Sequence, residues 1–202
     1  MGAGSDGSRL GPGRSGVTYH PGTSTASDGL GSRRPPAQAR AVMKQPDIGP
    51  FGVLGVVLAL LQIGALSTVS AAGSWAEALV VTTVAAATGR VAAVQAAGTR
   101  VASATRNGLG TLVAGTASRP AQVALTVSLF AAAVMASGLA DANHDRAAWV
   151  AVAVALGLGG GWVVRVHSVR RLGGVTGDVF GALVEVAATI TLVLLAAKPA
   201  WR

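Results

Sequence analysis

Residues 170–185 read RRLGGVTGDVFGALVE, and they decide how the rest of the chain is read. Two arginines and a Gly173-Gly174 turn stand before an apolar run, Val179 to Ala197. A run of about 20 apolar residues is what a helix needs to cross the hydrocarbon core of a bilayer. Asp178 opens that run and Glu185 lies two turns inside it. On a helix this spacing puts both carboxylates on one face, about 10 Å apart at about 1.5 Å of rise per residue. Helix capping by Thr176 or Asp178, after a glycine turn, accounts for Asp178. It does not account for Glu185. An unpartnered carboxylate within a membrane-spanning helix is costly, which favours a functional role for it.

Four more apolar runs precede this one: Ile48 to Ala71, Trp75 to Ala97 with Arg90 inside it, Ala121 to Ala140 after Pro120, and Ala147 to Val166. In lipid the backbone must satisfy its own hydrogen bonds, so each run is expected as a helix. The fold expected is all-α: a multi-pass integral membrane helix bundle of about five transmembrane helices. Glycines within the runs (Gly52, Gly55, Gly64, Gly157, Gly159, Gly160 and Gly161) are expected to form close-packing surfaces.

Composition agrees. Charged residues are 12% of the 202, against about 25% in soluble domains. Cysteine is absent, which excludes disulfides and thiolate metal sites. His20, His144 and His167 have no zinc-site spacing. The net charge is +8, yet the basic residues sit in short clusters between apolar runs, without interleaved aromatics. That pattern points to loops of a membrane protein and away from nucleic acid. With the N-terminus in the cytoplasm, one side receives Arg33, Arg34, Arg40, Lys44, Arg90, Arg100, Arg106, Arg119, Arg165, Arg170 and Arg171. The other receives only Arg146, Lys198 and Arg202. The bias orients the clustered side toward the cytoplasm.

Three stretches on that side could carry chemistry. Residues 28–52 hold Asp28 and Asp47 beside Arg33, Arg34 and Lys44. Carboxylates can hold a divalent cation and the cations can meet a pyrophosphate. The same residues also read as a turn leading into a membrane helix, with Asp47 near its N-terminus. Residues 100–110 (RVASATRNGLG) are either a backbone cradle for phosphate or an ordinary turn held by interfacial arginines. The third stretch is the opening one.

In this order the stretches resemble the cobalamin synthase family, the adenosylcobinamide-GDP ribazoletransferases. Its DGLGS-type segment matches Asp28–Ser32, its (S/P)DIGPFG segment Pro46–Gly52, its ARxxGLG-type loop Thr105–Gly110 and its GGxTGDxxGAxxE signature Gly173–Glu185. The resemblance implies a multi-pass transferase of the bacterial cell membrane, active site toward the cytoplasm, with Mg²⁺ as cofactor. It would join adenosylcobinamide-GDP to α-ribazole or its 5′-phosphate and release GMP. It implies Asp28, Asp47, Asp178 and Glu185 as catalytic groups, with Asp28, Asp47 and Asp178 as metal ligands. Arg33, Arg34, Lys44 and Arg106 would be phosphate contacts. Gly173, Gly174, Thr176 and Gly177 join them as cofactor-binding positions. Homo-oligomerisation stays open.

The chain departs from the family at Tyr19–Leu30 (YHPGTSTASDGL). The family has His-Leu-Asp-Gly-Leu-Ala-Asp-Thr-Ala-Asp-Gly-Leu there, preceded by further membrane helices. Of its aspartates only the last matches, at Asp28. Gly22–Ser27 can be written in GC-rich codons that encode His-Leu-Asp-Gly-Leu in a neighbouring frame. The expectation is a truncated or frameshifted N-terminus: residues 1–27 a disordered or aberrant tail, residues 28–202 the transmembrane domain. An inactive remnant or non-enzymatic membrane subunit is therefore a second reading. A CDP-alcohol phosphotransferase is a third, lacking the Ala-Arg that should follow Asp28-Gly29.

Overall fold

The computed structural model describes residues 50–72, 74–99, 101–104, 109–140 and 144–197. They form six helices in chain order: α1 Pro50–Ala72, α2 Trp75–Ala96, α3 Leu109–Val113, α4 Arg119–Ala140, α5 His144–Leu172 and α6 Gly177–Ala197. Among the described residues there is no strand, only two isolated parallel bridges. The fold is an all-α multi-pass membrane helix bundle. Helices α2, α4, α5 and α6 are long and apolar enough to cross a membrane. In α1 the apolar stretch Gly55–Ala71 is shorter than these four.

The helix ends follow local chemistry. Ser74 caps α2, its hydroxyl accepting from the Glu77 amide at 3.2 Å. Ser118 does the same for α4 through Ala121 at 3.4 Å, and Pro120 sits in the first turn, where its missing N–H is not needed. Thr176 rather than Asp178 caps α6, accepting from the Val179 amide at 3.3 Å. Gly173 ends α5 with a φ of 76° while its amide bonds the Val169 carbonyl at 3.0 Å. That left-handed cap is one a side chain would strain.

The sequence reading ended the fourth apolar run at Val166, whereas α5 continues to Leu172. Its 29 residues make about 43 Å at about 1.5 Å per residue, longer than a hydrocarbon core of about 30 Å. Hydropathy falls after Val166, but the backbone ladder runs on until Gly173 stops it. Arg165, His167, Arg170 and Arg171 thus project from a rigid helix, not a loop.

Helix α6 is central and packs against α1, α2 and α5, while α4 lies against α2 and α5. Valine, alanine and leucine fill the core between them, as at Val81, Ala85, Val154, Ala187 and Leu195. The close approach of α5 to its neighbours depends on glycine. A Cβ on Gly157 would collide with Thr191 and the Ala187 carbonyl of α6, and one on Gly161 would lie 2.9 Å from Ala92 of α2. Gly55, Gly64 and Gly159 face open space, so the close-packing expectation fails for them. Buried hydroxyls satisfy themselves along the helix: Thr88 bonds Val84 O at 2.8 Å and Thr191 bonds Ala187 O at 2.9 Å.

Candidate active site at the basic end

The N-terminus of α1, the C-termini of α2 and α5 and the N-termini of α4 and α6 lie at one end of the bundle, the basic end. There the described parts of two of the stretches singled out from the sequence, residues 101–104 with Gly110 and the turn before α6, meet. The Val175 amide donates to Ala102 O and the Ala104 amide to Val175 O, both at 3.0 Å. These bonds tie the turn between α5 and α6 to the segment after α2. Two glycines make the approach possible. A Cβ on Gly174 would lie 2.7 Å from Ala104 N and 2.8 Å from Ser103 C. One on Gly110, at the start of α3, would lie 3.0 Å from both Thr176 Cα and Val175 O. Beneath the joint, Ala96, Leu172, Val175, Val179 and Leu183 form a small core of their own.

The opening positions of the signature have structural work here. Gly173 caps α5, Gly174 admits the neighbouring backbone, Thr176 caps α6 and is 7% exposed, and Gly177 is its first helical residue. Asp178 is exposed in the first turn of α6, where the amide dipoles favour a negative charge.

Glu185 is different. It is half-buried, and its Oε1 accepts a 2.9 Å hydrogen bond from Gln62 Nε2 of α1. The same amide donates at 2.6 Å to Thr189 Oγ1, which donates to Glu185 O at 2.7 Å. The carboxylate that the sequence left without a partner therefore has one, contributed by a helix 123 positions away. Gln62 was missed by sequence reasoning. Its signal was a single amide in the middle of an apolar run.

Asp28, Asp47, Arg33, Arg34, Lys44 and Arg106 lie outside the described residues.

The assembly of Gly110 against the Gly173–Thr176 turn matters because both belong to segments by which the chain resembles one family. A family profile described as cobalamin-5-phosphate synthase matches residues 16–196. The chain belongs to that family. Within the cobalamin-5-phosphate synthase family, it is 38% identical over 181 residues to the adenosylcobinamide-GDP ribazoletransferase of Frankia casuarinae. That match covers 87% of this chain and 64% of the relative. A Nocardioides protein of the same name is also 38% identical, covering 88% of this chain and 65% of its own length. One from Brevibacillus brevis is 30% identical over 170 residues, covering 84% and 64%. The chain thus spans just under two thirds of these relatives. No solved structure matches it.

The cobalamin synthase resemblance implies magnesium, and the described residues can be tested for it. Among them no group of three histidine, aspartate or glutamate side chains could hold a metal ion. Asp178 stands at the basic end as a lone carboxylate, and Glu185 already accepts from Gln62. The described residues do not by themselves fit a Mg²⁺ ion.

Proposed function

We propose that the chain is an adenosylcobinamide-GDP ribazoletransferase working at the cytoplasmic face of the bacterial cell membrane. The observation that carries this reading is the dovetailing of Gly110 and Gly174 at the basic end, with Asp178 exposed beside it. Family membership and the names of the relatives support the substrates: adenosylcobinamide-GDP, and α-ribazole or its 5′-phosphate. The charge bias supports the side.

In this reading a ribazole hydroxyl oxygen bonds to the phosphorus on the cobinamide side of the pyrophosphate. The bond from that phosphorus to the bridging oxygen breaks, and GMP leaves with the bridging oxygen and its electron pair. Asp178 accepts the hydroxyl proton, a general-base role worth about 10²–10⁴ in rate. Arg33, Arg34, Lys44 and Arg106 meet the phosphates and offset the charge that develops on the leaving group. Glu185, held by Gln62, is a positioning residue that sets α6 against α1. In this reading Asp28 and Asp47 would be the residues to hold Mg²⁺, which when bound would supply charge stabilisation at the pyrophosphate.

GMP release by the chain reconstituted in lipid vesicles, supplied with adenosylcobinamide-GDP and α-ribazole with and without Mg²⁺, tests the proposal. Release that depends on Asp178 supports it. Absence of release under both conditions overturns it. The second reading, an inactive or non-enzymatic subunit, rests on the match of Asp28 alone where the family carries several aspartates. It predicts that D178N leaves every phenotype unchanged.

A further inference from the structure

A groove between α2, α4 and α5 opens at the basic end, on different residues from those of the proposed reaction. Its larger part, about 430 Å³, is lined by Arg119, Arg165 and Arg170 together with Val101, Val166 and Val169. A smaller, more open part of about 310 Å³ shares Gln122 and Arg165 and continues past Val123, Val127 and Trp162. The groove therefore has a cationic head and an apolar tail.

The head is built, not incidental. Arg165 Nη1 donates to Gln95 O at 3.0 Å. Gln122 Nε2 donates to Val94 O at 3.2 Å and Gln95 O at 3.4 Å, and Gln95 Nε2 reaches Thr126 Oγ1 at 3.1 Å. This network holds the end of α2 to α4 and α5. Arg119 at the start of α4 and Arg170 near the end of α5 are exposed over it. Among the described residues no carboxylate lines either part. The tail lies on the outward face of the bundle, where Val123 and Val127 are each 62% exposed and Trp162 is 55% exposed. In a membrane that face meets acyl chains.

We infer that the groove binds an anionic phospholipid, with its phosphate among Arg119, Arg165 and Arg170 and an acyl chain along Val123, Val127 and Trp162. Guanidinium groups present paired N–H donors that match phosphate oxygens. Basic pockets between membrane helices suit acidic headgroups. Helix α6, which carries Asp178 and Glu185, does not line the groove. A soluble phosphate would use the arginines but leave the apolar tail without a function.

The test is lipid retention. The full chain is extracted into mild detergent from phosphatidylcholine vesicles holding a minor fraction of phosphatidylglycerol, and bound lipid is counted by native mass spectrometry. The parent should retain phosphatidylglycerol in preference to phosphatidylcholine. R119Q/R170Q should lower that retention by about tenfold. R119K/R170K should keep most of it, and R90Q, an exposed cation outside the groove, should leave it unchanged. Equal retention by R119Q/R170Q and parent overturns the inference. So does release of phosphatidylglycerol by excess inorganic pyrophosphate, which would assign the arginines to a soluble ligand. Arg165 is left intact because it ties α5 to α2. A second measurement needs no arginine variant: brominated phosphatidylglycerol should quench tryptophan fluorescence more than brominated phosphatidylcholine, and W162F should abolish the difference. Equal quenching overturns the inference independently.

Discussion

Gln62 of α1 and Glu185 of α6 are joined by a 2.9 Å hydrogen bond, and the other proton of the same amide goes to Thr189. One side chain thus satisfies two polar groups of the central helix, in a part of the bundle that offers lipid or apolar neighbours otherwise. Q62L removes both donors and should lower stability by about 1–3 kcal/mol, as expected when a bonded charged group loses its partner. E185Q keeps an oxygen facing Gln62 and should unfold near the parent. Thermal unfolding in detergent, followed by helical circular dichroism, checks the order.

The same pair separates positioning from chemistry. D178N should reduce GMP release by about 10²–10⁴, the usual worth of a general base. E185Q should stay within about threefold of the parent, because its contact with Gln62 survives and no proton passes through it. Single-turnover GMP release from vesicles reads both. If E185Q falls as far as D178N, Glu185 belongs to the reacting groups and its positioning role is wrong.

Membrane architecture was legible because hydropathy reports burial in lipid directly. The five apolar runs became α1, α2, α4, α5 and α6, and the glycine turn before Thr176 marked a true helix boundary. Pairing across the bundle was not legible. Gln62 and Glu185 read as one odd amide and one odd acid until the packing of α1 on α6 brought them together. The length of α5 was missed for a related reason. Arginine and histidine end a hydropathy run without ending a helix, since their N–H and C=O groups bond as well as those of valine. Gly110, within residues 100–110, invited a phosphate-cradle reading because phosphate and backbone both exploit a missing Cβ, whereas Gly174 read as a turn. The structure shows backbone against each of them.

That contact predicts the effect of a single methyl group. G174A would push a Cβ into Ala104 N and Ser103 C, and G110A into Thr176 and Val175. Such overpacking typically costs about 1–3 kcal/mol, and here the neighbours are main chain that cannot rotate away. Each substitution should loosen the joint between the two loops and raise hydrogen exchange at the Ala104 and Val175 amides. G181A, on the same helix as Asp178 with nothing near its Cβ, should leave both exchange and GMP release unchanged. An indistinguishable result for G174A and G181A would mean the loops are not clamped as described.

At the opposite end, Arg146 Nη2 and Glu77 Oε1 form an ion pair at 3.1 Å, with side chains only 11% and 13% exposed. Glu77 sits in the first turn of α2 and Arg146 in that of α5, so the pair fixes two helix starts to each other. Removing one member leaves the other charge half desolvated, and losses of about 3–5 kcal/mol are typical of buried pairs broken this way. E77Q and R146Q should each lower thermal stability markedly. E77Q/R146Q should cost less than the sum of the two, because it leaves no lone charge behind. A double-mutant cycle on unfolding midpoints measures the difference. Additive losses would show that the two residues act separately and that the α2–α5 contact rests on apolar packing such as Val81 and Val154, not on the ion pair.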